Sequence, residues 1–127
     1  MKRLINPASM AAPTSSYNHA VLVRHPESTL YMAGQLGERP DGTISDDFAE
    51  QARQIWRNIK TILSEAEMNV GDLVKIVSYL VGEQHIRPYV AIHREALGAQ
   101  MPPWTLVVVA ALGSPKYLVE VEATAAR

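Results

Sequence analysis

The sequence has 127 residues, of which 47% are hydrophobic and 20% are charged, and its formal net charge is −1. This length fits one domain that buries about two-thirds of its unfolded surface, so we expect residues 1–127 to form a single domain. The balanced charge and the absence of cysteine exclude the electrostatic footprint of a nucleic-acid binder, disulfides and thiol nucleophiles.

The N-terminal segment Met1–Pro7 is basic but has no apolar core of signal-peptide length. No window approaches the roughly 18 apolar residues that span a bilayer. We therefore expect a soluble, cytoplasmic protein without a membrane partner.

The first half of the chain predicts two strands followed by one long helix. The strands lie over residues 19–24 and 29–33, after a Pro/Ser/Thr-rich loop at residues 11–16. The helix follows Ser45–Asp47, which supplies an N-cap and negative charge at the helix N-terminus. Its apolar residues recur at spacings of three and four, and this spacing predicts an amphipathic helix of about five turns that ends at Asn69–Asp72. Turn signals lie at His25–Ser28, Gly34–Gly37 and Arg39–Gly42.

The second half predicts a strand over 73–81 and a helix over Ile86–Leu97, with Pro88 in the first helical turn and Gly98 as the stop signal. The element order is strands, helix, strand, helix and two strands. This order indicates the α+β class, with both helices packed on one face of a sheet.

The last quarter of the chain contains two β-branched runs, Leu106–Leu112 and Leu118–Ala123, separated by the turn Gly113–Pro115. We expect them to form adjacent strands of a buried sheet. Alternation in the second run places Glu120 and Glu122 on one face, roughly 6.6–7 Å apart. Because glutamate is rarely buried without a partner, Glu120 either faces a ligand or makes a structural contact with backbone amides or a cation, and Glu122 is interpreted as structural.

The sheet also raises a burial problem. A strand that is apolar at nearly every position needs cover on both faces, and one layer of two helices covers only one of them. An uncovered apolar face predicts self-association.

Several segments resemble the RidA (YjgF/L-PSP) family of small imine/enamine deaminases, and the resemblance covers nearly the whole chain. They are Tyr17, Gly34–Gln35, the helix segment Gln51–Asn58 and the strand Leu118–Glu122. The resemblance implies a chorismate-mutase-like α+β fold with a mixed sheet, a homotrimer, and ligand clefts between subunits that bind a small metabolite. Some members of the family are described as ribonucleases, but the charge balance argues against nucleic acid as a partner here.

The resemblance also implies roles for individual residues. Glu120 is the expected catalytic residue, which holds the water that attacks the C=N carbon, and the expected substrate-binding residues are Tyr17, Gly34, Gln35 and Trp104. Gly34 is interpreted as a requirement of backbone geometry, because Ala33 replaces the serine of the family's Ser-Gly-Gln.

The main departure from the family is at Pro103–Trp104, where the deaminases have Pro-Ala-Arg. That arginine clamps the substrate carboxylate, whereas an indole offers one N–H and an apolar face. Trp104 either fills the cleft or a subunit interface, or stacks on a substrate that is less acidic or more aromatic than 2-aminoacrylate. Arg24 and Arg39 are candidates to replace the clamp.

The remaining polar residues have less specific expected roles. Asn58 is expected to be a structural hydrogen bonder, and His19 is a further candidate for the cleft. The second helix has Val90 and His93 where the family often has asparagine and tyrosine. The four histidines lack ligand spacing, so no metal and no cofactor are expected.

Two functions follow from the sequence. The first is a RidA-like hydrolase that deaminates an imine, an enamine or a related metabolite other than 2-aminoacrylate. The alternative is a non-enzymatic, metabolite-binding or regulatory trimer of the same fold.

Overall fold

The computed structural model describes residues 1–127 and confirms the α+β class. In chain order the elements are β1 (Lys2–Ile5), β2 (Ala20–Val23), β3 (Thr29–Gln35), α1 (Phe48–Glu65), β4 (Leu73–Val81), α2 (Ile86–Leu97), β5 (Trp104–Val109) and β6 (Val119–Ala126). Short 3-10 turns precede β4 and α2. The sequence did not predict β1.

Both helices begin where their sequence signals indicate, and α2 also ends as predicted. Helix α1 ends at Glu65, four residues before the expected stop at Asn69–Asp72, because the chain leaves the helix at Glu67, whose φ is +55°. The side chain of Asp47 caps α1 by accepting a hydrogen bond from the backbone N–H of Glu50 at 3.0 Å. Helix α2 has Pro88 in its first turn and ends at Gly98, whose φ of +61° suits glycine. Neither helix combines the length and the hydrophobicity that crossing a membrane requires.

The main sheet is mixed and has the strand order β3-β6-β4-β5, while β1 and β2 form a separate antiparallel ribbon. Strands β4 and β5 are parallel, and α2 lies in the crossover between them. Strand β6 is antiparallel to both of its neighbours.

The prediction that the last two strands are adjacent is wrong, because β4 lies between β5 and β6. The connection at residues 110–118 crosses the end of β4, where the N–H of Val81 donates to the carbonyl of Leu118 at 2.9 Å. Central placement lets β6 bury Val119, Val121 and Ala123 beneath the helices. Strand β5 ends at Val109, three residues before the end of the apolar run.

The hydrophobic core lies between the helices and one face of the sheet. Its fully buried members include Ile55 and Ile59 of α1, Ile76 and Leu80 of β4, and Val121 of β6. Full burial of such a side chain contributes about 1.5–3 kcal/mol.

The opposite face of the sheet is open. On it, Tyr31 is 80% exposed and Val107 38% exposed, and the β6 side chains Glu120, Glu122 and Thr124 are only half-buried. The uncovered face expected from the sequence is therefore present in the single chain.

Candidate active site

Glu120 and Glu122 lie on the open face of the sheet, as the alternation in β6 predicted. Their neighbours Val119 and Val121 point to the helices and are fully buried. In the adjacent strand, Tyr79 lies opposite Glu120 and donates a hydrogen bond from its hydroxyl to Oε1 of Glu122. This hydrogen bond to a carboxylate raises the pKa of Tyr79.

The two carboxylates differ in what holds them. Glu122 is half-buried and is fixed by Tyr79, whereas the half-buried Glu120 makes no hydrogen bond or ion pair within the chain. The structural role considered from sequence, a contact with backbone amides or a cation, therefore has no partner in the single chain. The carboxyl group of Glu120 is free to accept a hydrogen bond from a water molecule or a ligand.

Gly34 makes room for the carboxyl group of Glu120. It lies in a bulge of β3, where the pairing with β6 shifts between Met32 and Gln35. A Cβ atom at position 34 would lie 2.0 Å from Oε1 of Glu120, far inside van der Waals contact. The structure thus agrees with the interpretation of Gly34 as a requirement of backbone geometry.

These residues line an open pocket of about 350 Å³. Its polar residues are Tyr79, Glu120 and Glu122, and its other residues are Gly34, Val109, Ala111 and Leu112. The pocket contains two carboxylates and no cation. Gln35 lies nearby, but its side-chain amide donates to the carbonyl of Ala33 at 3.0 Å.

Trp104 lies on the other face of the sheet. Its Nε1 donates to Oγ of Ser78 at 3.0 Å, and its ring stacks on His93 with the centroids 3.8 Å apart and the planes 15° apart. Together with Trp56 and Tyr89, these two residues form an aromatic cluster between the helices and the sheet, in which Trp104 is half-buried and the other three are buried. The single chain does not bring Trp104 and Glu120 together, so a pocket that holds both needs two copies of the chain.

His93 is the most unusual member of the aromatic cluster. It is fully buried, and neither ring nitrogen has a hydrogen-bond partner. Burial lowers its pKa from 6.5 to about 4, and the charge of Arg94 adds to this effect. His93 and Trp104 were separate departures from the family in the sequence, and the structure shows that they contact each other.

The remaining predicted cleft residues lie away from the Glu120 pocket. Tyr17 is half-buried in the loop before β2 and contacts His19 edge-on, with the centroids 6.0 Å apart. The Nε2 of His19 donates to the carbonyl of Ala11 at 2.7 Å. Arg24 makes no side-chain hydrogen bond or ion pair, Arg39 donates to Oγ1 of Thr43 at 3.2 Å, and neither arginine lines the pocket.

Two polar residues of α1 have structural roles. Asn58 donates to the carbonyl oxygens of Leu36 and Glu38 at 3.2 and 3.0 Å, as its predicted role requires. Gln51 is buried and makes three hydrogen bonds, two of them to the connection that leads into β6. Its partners are the carbonyls of Ser45 and Lys116 and the N–H of Leu118.

Known proteins share sequence and fold with this chain. The sequence model of the family described as "Endoribonuclease L-PSP" matches residues 8–127. The chain belongs to this family. Among the relatives of this L-PSP protein is the human 2-iminobutanoate/2-iminopropanoate deaminase, which is 30% identical over 128 residues, covering 98% of this chain and 90% of the human protein.

Solved structures place the L-PSP chain in the same fold. YyfB, a Rid family protein from Yersinia pestis, aligns with a TM-score of 0.86 at 30% identity over 99% of this chain and 98% of the other. RidA from an Antarctic Psychrobacter aligns with a TM-score of 0.74 at 28% identity over 98% and 99% of the two chains. The resemblance to the RidA family predicted from sequence is confirmed.

Proposed function

We propose that the chain is a hydrolase that deaminates an imine, an enamine or a related metabolite other than 2-aminoacrylate. The observation that carries the proposal is the carboxyl group of Glu120, which lies in a pocket without any partner in the chain and fits there only because residue 34 is glycine. The imine chemistry is supported by the human relative, whose name describes a deaminase of two imino acids.

The proposed reaction adds water across a C=N bond. The protonated imine is the reacting form. Glu120 accepts a proton from the attacking water while the oxygen bonds to the imine carbon, and the electron pair of the C=N π bond passes to the nitrogen, which gives a neutral carbinolamine. The proton on Glu120 then passes to the carbinolamine nitrogen, and the C–N bond breaks to release ammonia as Glu120 takes back the hydroxyl proton and the carbonyl group forms. Glu122 stays fixed by Tyr79 and keeps the pocket anionic.

The character of the pocket supports a substrate that is less acidic than 2-aminoacrylate. Two carboxylates and no cation line the pocket of Glu120, so a substrate carboxylate would meet repulsion there. Trp104 cannot supply a bidentate clamp, and its N–H is already donated to Ser78.

The open sheet face supports self-association, and the family resemblance implies that the assembly is a homotrimer of one-domain chains with the cleft between subunits. We propose that this trimer acts in the cytoplasm. In such an assembly the faces that carry Trp104 and Glu120 belong to different copies, and Tyr17 and Gln35 complete the substrate-binding residues. Sedimentation should then give about three times the chain mass of 14.0 kDa. A monomer at micromolar concentration would contradict the assembly.

The second candidate is a trimer that binds a metabolite without turning it over. The stacking of Trp104 on His93 favours it, because an indole engaged within its own chain has less surface left for a substrate.

A panel of imines separates the two functions. The imines are generated in place by an amino-acid oxidase, and ammonia release is measured with and without the protein. The hydrolase predicts faster release from at least one imine, and weak or no effect on 2-aminoacrylate. No acceleration with any imine, together with saturable binding of one of them, would establish the binding trimer instead.

A further inference from the structure

A second pocket lies at the C-terminal end of α2, facing the loop before β2. Its volume is about 360 Å³, and it shares no residue with the pocket of Glu120. The lining residues are Ser16, His93, Arg94, Leu97, Gly98, Ala99, Gln100 and Met101.

Arg94 is the cation of this second pocket, and it has no acidic partner. Arg53, Arg57 and Arg127 each lie within 4 Å of a glutamate, at 3.8, 3.8 and 3.9 Å, but Arg94 forms no ion pair. Its Nε donates to Oγ of Ser16, which ties the guanidinium to the loop. Both terminal nitrogens lack a hydrogen-bond partner in the chain, and together they match the two oxygens of a carboxylate.

Two of the last four carbonyl groups of α2 are satisfied by backbone N–H groups, and none of the four accepts a hydrogen bond from the Arg94 side chain. A cation in the last helical turn usually interacts with unsatisfied carbonyl groups. Here the N–H of Gly98 donates to the carbonyl of Arg94 at 2.9 Å, and the N–H of Gln100 donates to that of Leu97 at 3.1 Å. The guanidinium is therefore available to an external anion.

The walls of the second pocket suit a small acid with an apolar body. Leu97 and Met101 supply apolar surface. His93 is fully buried there with both ring nitrogens unpartnered, and as a neutral imidazole it offers one donor and one acceptor without adding charge. Trp104 covers one face of its ring.

We propose that this second pocket binds a small monocarboxylate, whose oxygens pair with the terminal nitrogens of Arg94 and the hydroxyl of Ser16. The hydroxyl already accepts from Arg94 and keeps its own proton for the ligand. The site is separate from the reaction proposed at Glu120 and does not depend on it.

The test uses benzoate and benzamide, which share a shape and differ in charge. Binding to the full chain is followed by NMR titration of the backbone signals of residues 93–101. Benzoate should produce saturable shifts and benzamide none. Arg94→Gln should weaken benzoate binding at least about tenfold, because a hydrogen-bonded charge is lost. Arg3→Gln, which removes an exposed arginine in β1 without side-chain partners, should leave binding unchanged.

The controls keep the outcome decisive. A thermal melt shows whether Arg94→Gln is folded; if it is not, Arg94→Lys and Ser16→Ala take its place, and both should weaken binding. The proposal is overturned if benzoate fails to saturate the wild-type protein, if benzamide binds equally well, or if the folded Arg94 variant binds benzoate as the wild type does. Because the readout is binding, absence of imine hydrolysis would leave this result intact.

Discussion

Replacing His93 with phenylalanine should make folding less sensitive to acid. The folded chain holds His93 neutral with a pKa of about 4, whereas the unfolded chain protonates it near 6.5. As the pH falls from 6.5 towards 4, the unfolded state therefore binds a proton that the folded state rejects, and stability is lost. At about 1.36 kcal/mol per pH unit, the full difference corresponds to about 3 kcal/mol.

The assay is urea unfolding of the wild type and His93→Phe at pH 7.5 and pH 4.5, at one fixed protein concentration. The wild type should lose about 2.5 kcal/mol more than the variant between these two values. All other ionisable residues are common to both proteins, so their contributions cancel in the comparison. At pH 7.5 the variant should be at least as stable as the wild type, because phenylalanine keeps a ring against Trp104 and removes two unpartnered nitrogens.

Two results would refute this reasoning. Equal losses of stability in the two proteins would show that His93 does not titrate as its burial requires. A marked loss of stability in His93→Phe at pH 7.5 would show that its nitrogens have partners within the protein.

Three further substitutions test the packing around the two faces of the sheet. Gly34→Ala should displace the carboxyl group of Glu120 and lower turnover or ligand binding. The melting temperature should change little, because the end of the flexible Glu120 side chain can move. Retained function would contradict the close approach of Gly34 and Glu120. Trp104→Arg should lower the free energy of unfolding by at least about 2 kcal/mol, because a cation replaces the indole ring that stacks on His93. A variant as stable as the wild type in urea unfolding would show that the aromatic cluster tolerates a charge. Gln51→Ala removes three hydrogen bonds and should cost about 2–4 kcal/mol by the same measurement, and a loss below 1 kcal/mol would mean that water replaces them.

Local signals in the sequence predicted the helices and the face of β6. The spacing of apolar residues, the cap at Asp47 and the stop at Gly98 act within a few residues, so α1 and α2 were predictable. Alternation in β6 is also local, and it placed Glu120 and Glu122 on one face.

Features set by strand pairing were not predictable. Two apolar runs with a short turn between them predict a pair of adjacent strands. In the structure β4 pairs with both β5 and β6, and these pairings depend on contacts between residues far apart in the sequence. The run from Trp104 to Val109 is apolar at nearly every position, so no alternation indicated which face Trp104 would take. The contact between Trp104 and His93 and the hydrogen bond from Arg94 to Ser16 join segments that are distant in the sequence. Neither segment alone contains a pattern that predicts the contact.

The most direct test of the proposed reaction compares Glu120→Gln with Glu122→Gln on whichever imine the wild type hydrolyses. Each substitution removes one charge from the same pocket and preserves the shape of the side chain, but only Glu120 is free to hold the attacking water. We expect Glu120→Gln to abolish ammonia release with the assembly intact by sedimentation, and Glu122→Gln to retain measurable turnover. Full turnover in Glu120→Gln would contradict the assignment of Glu120 as the catalytic residue.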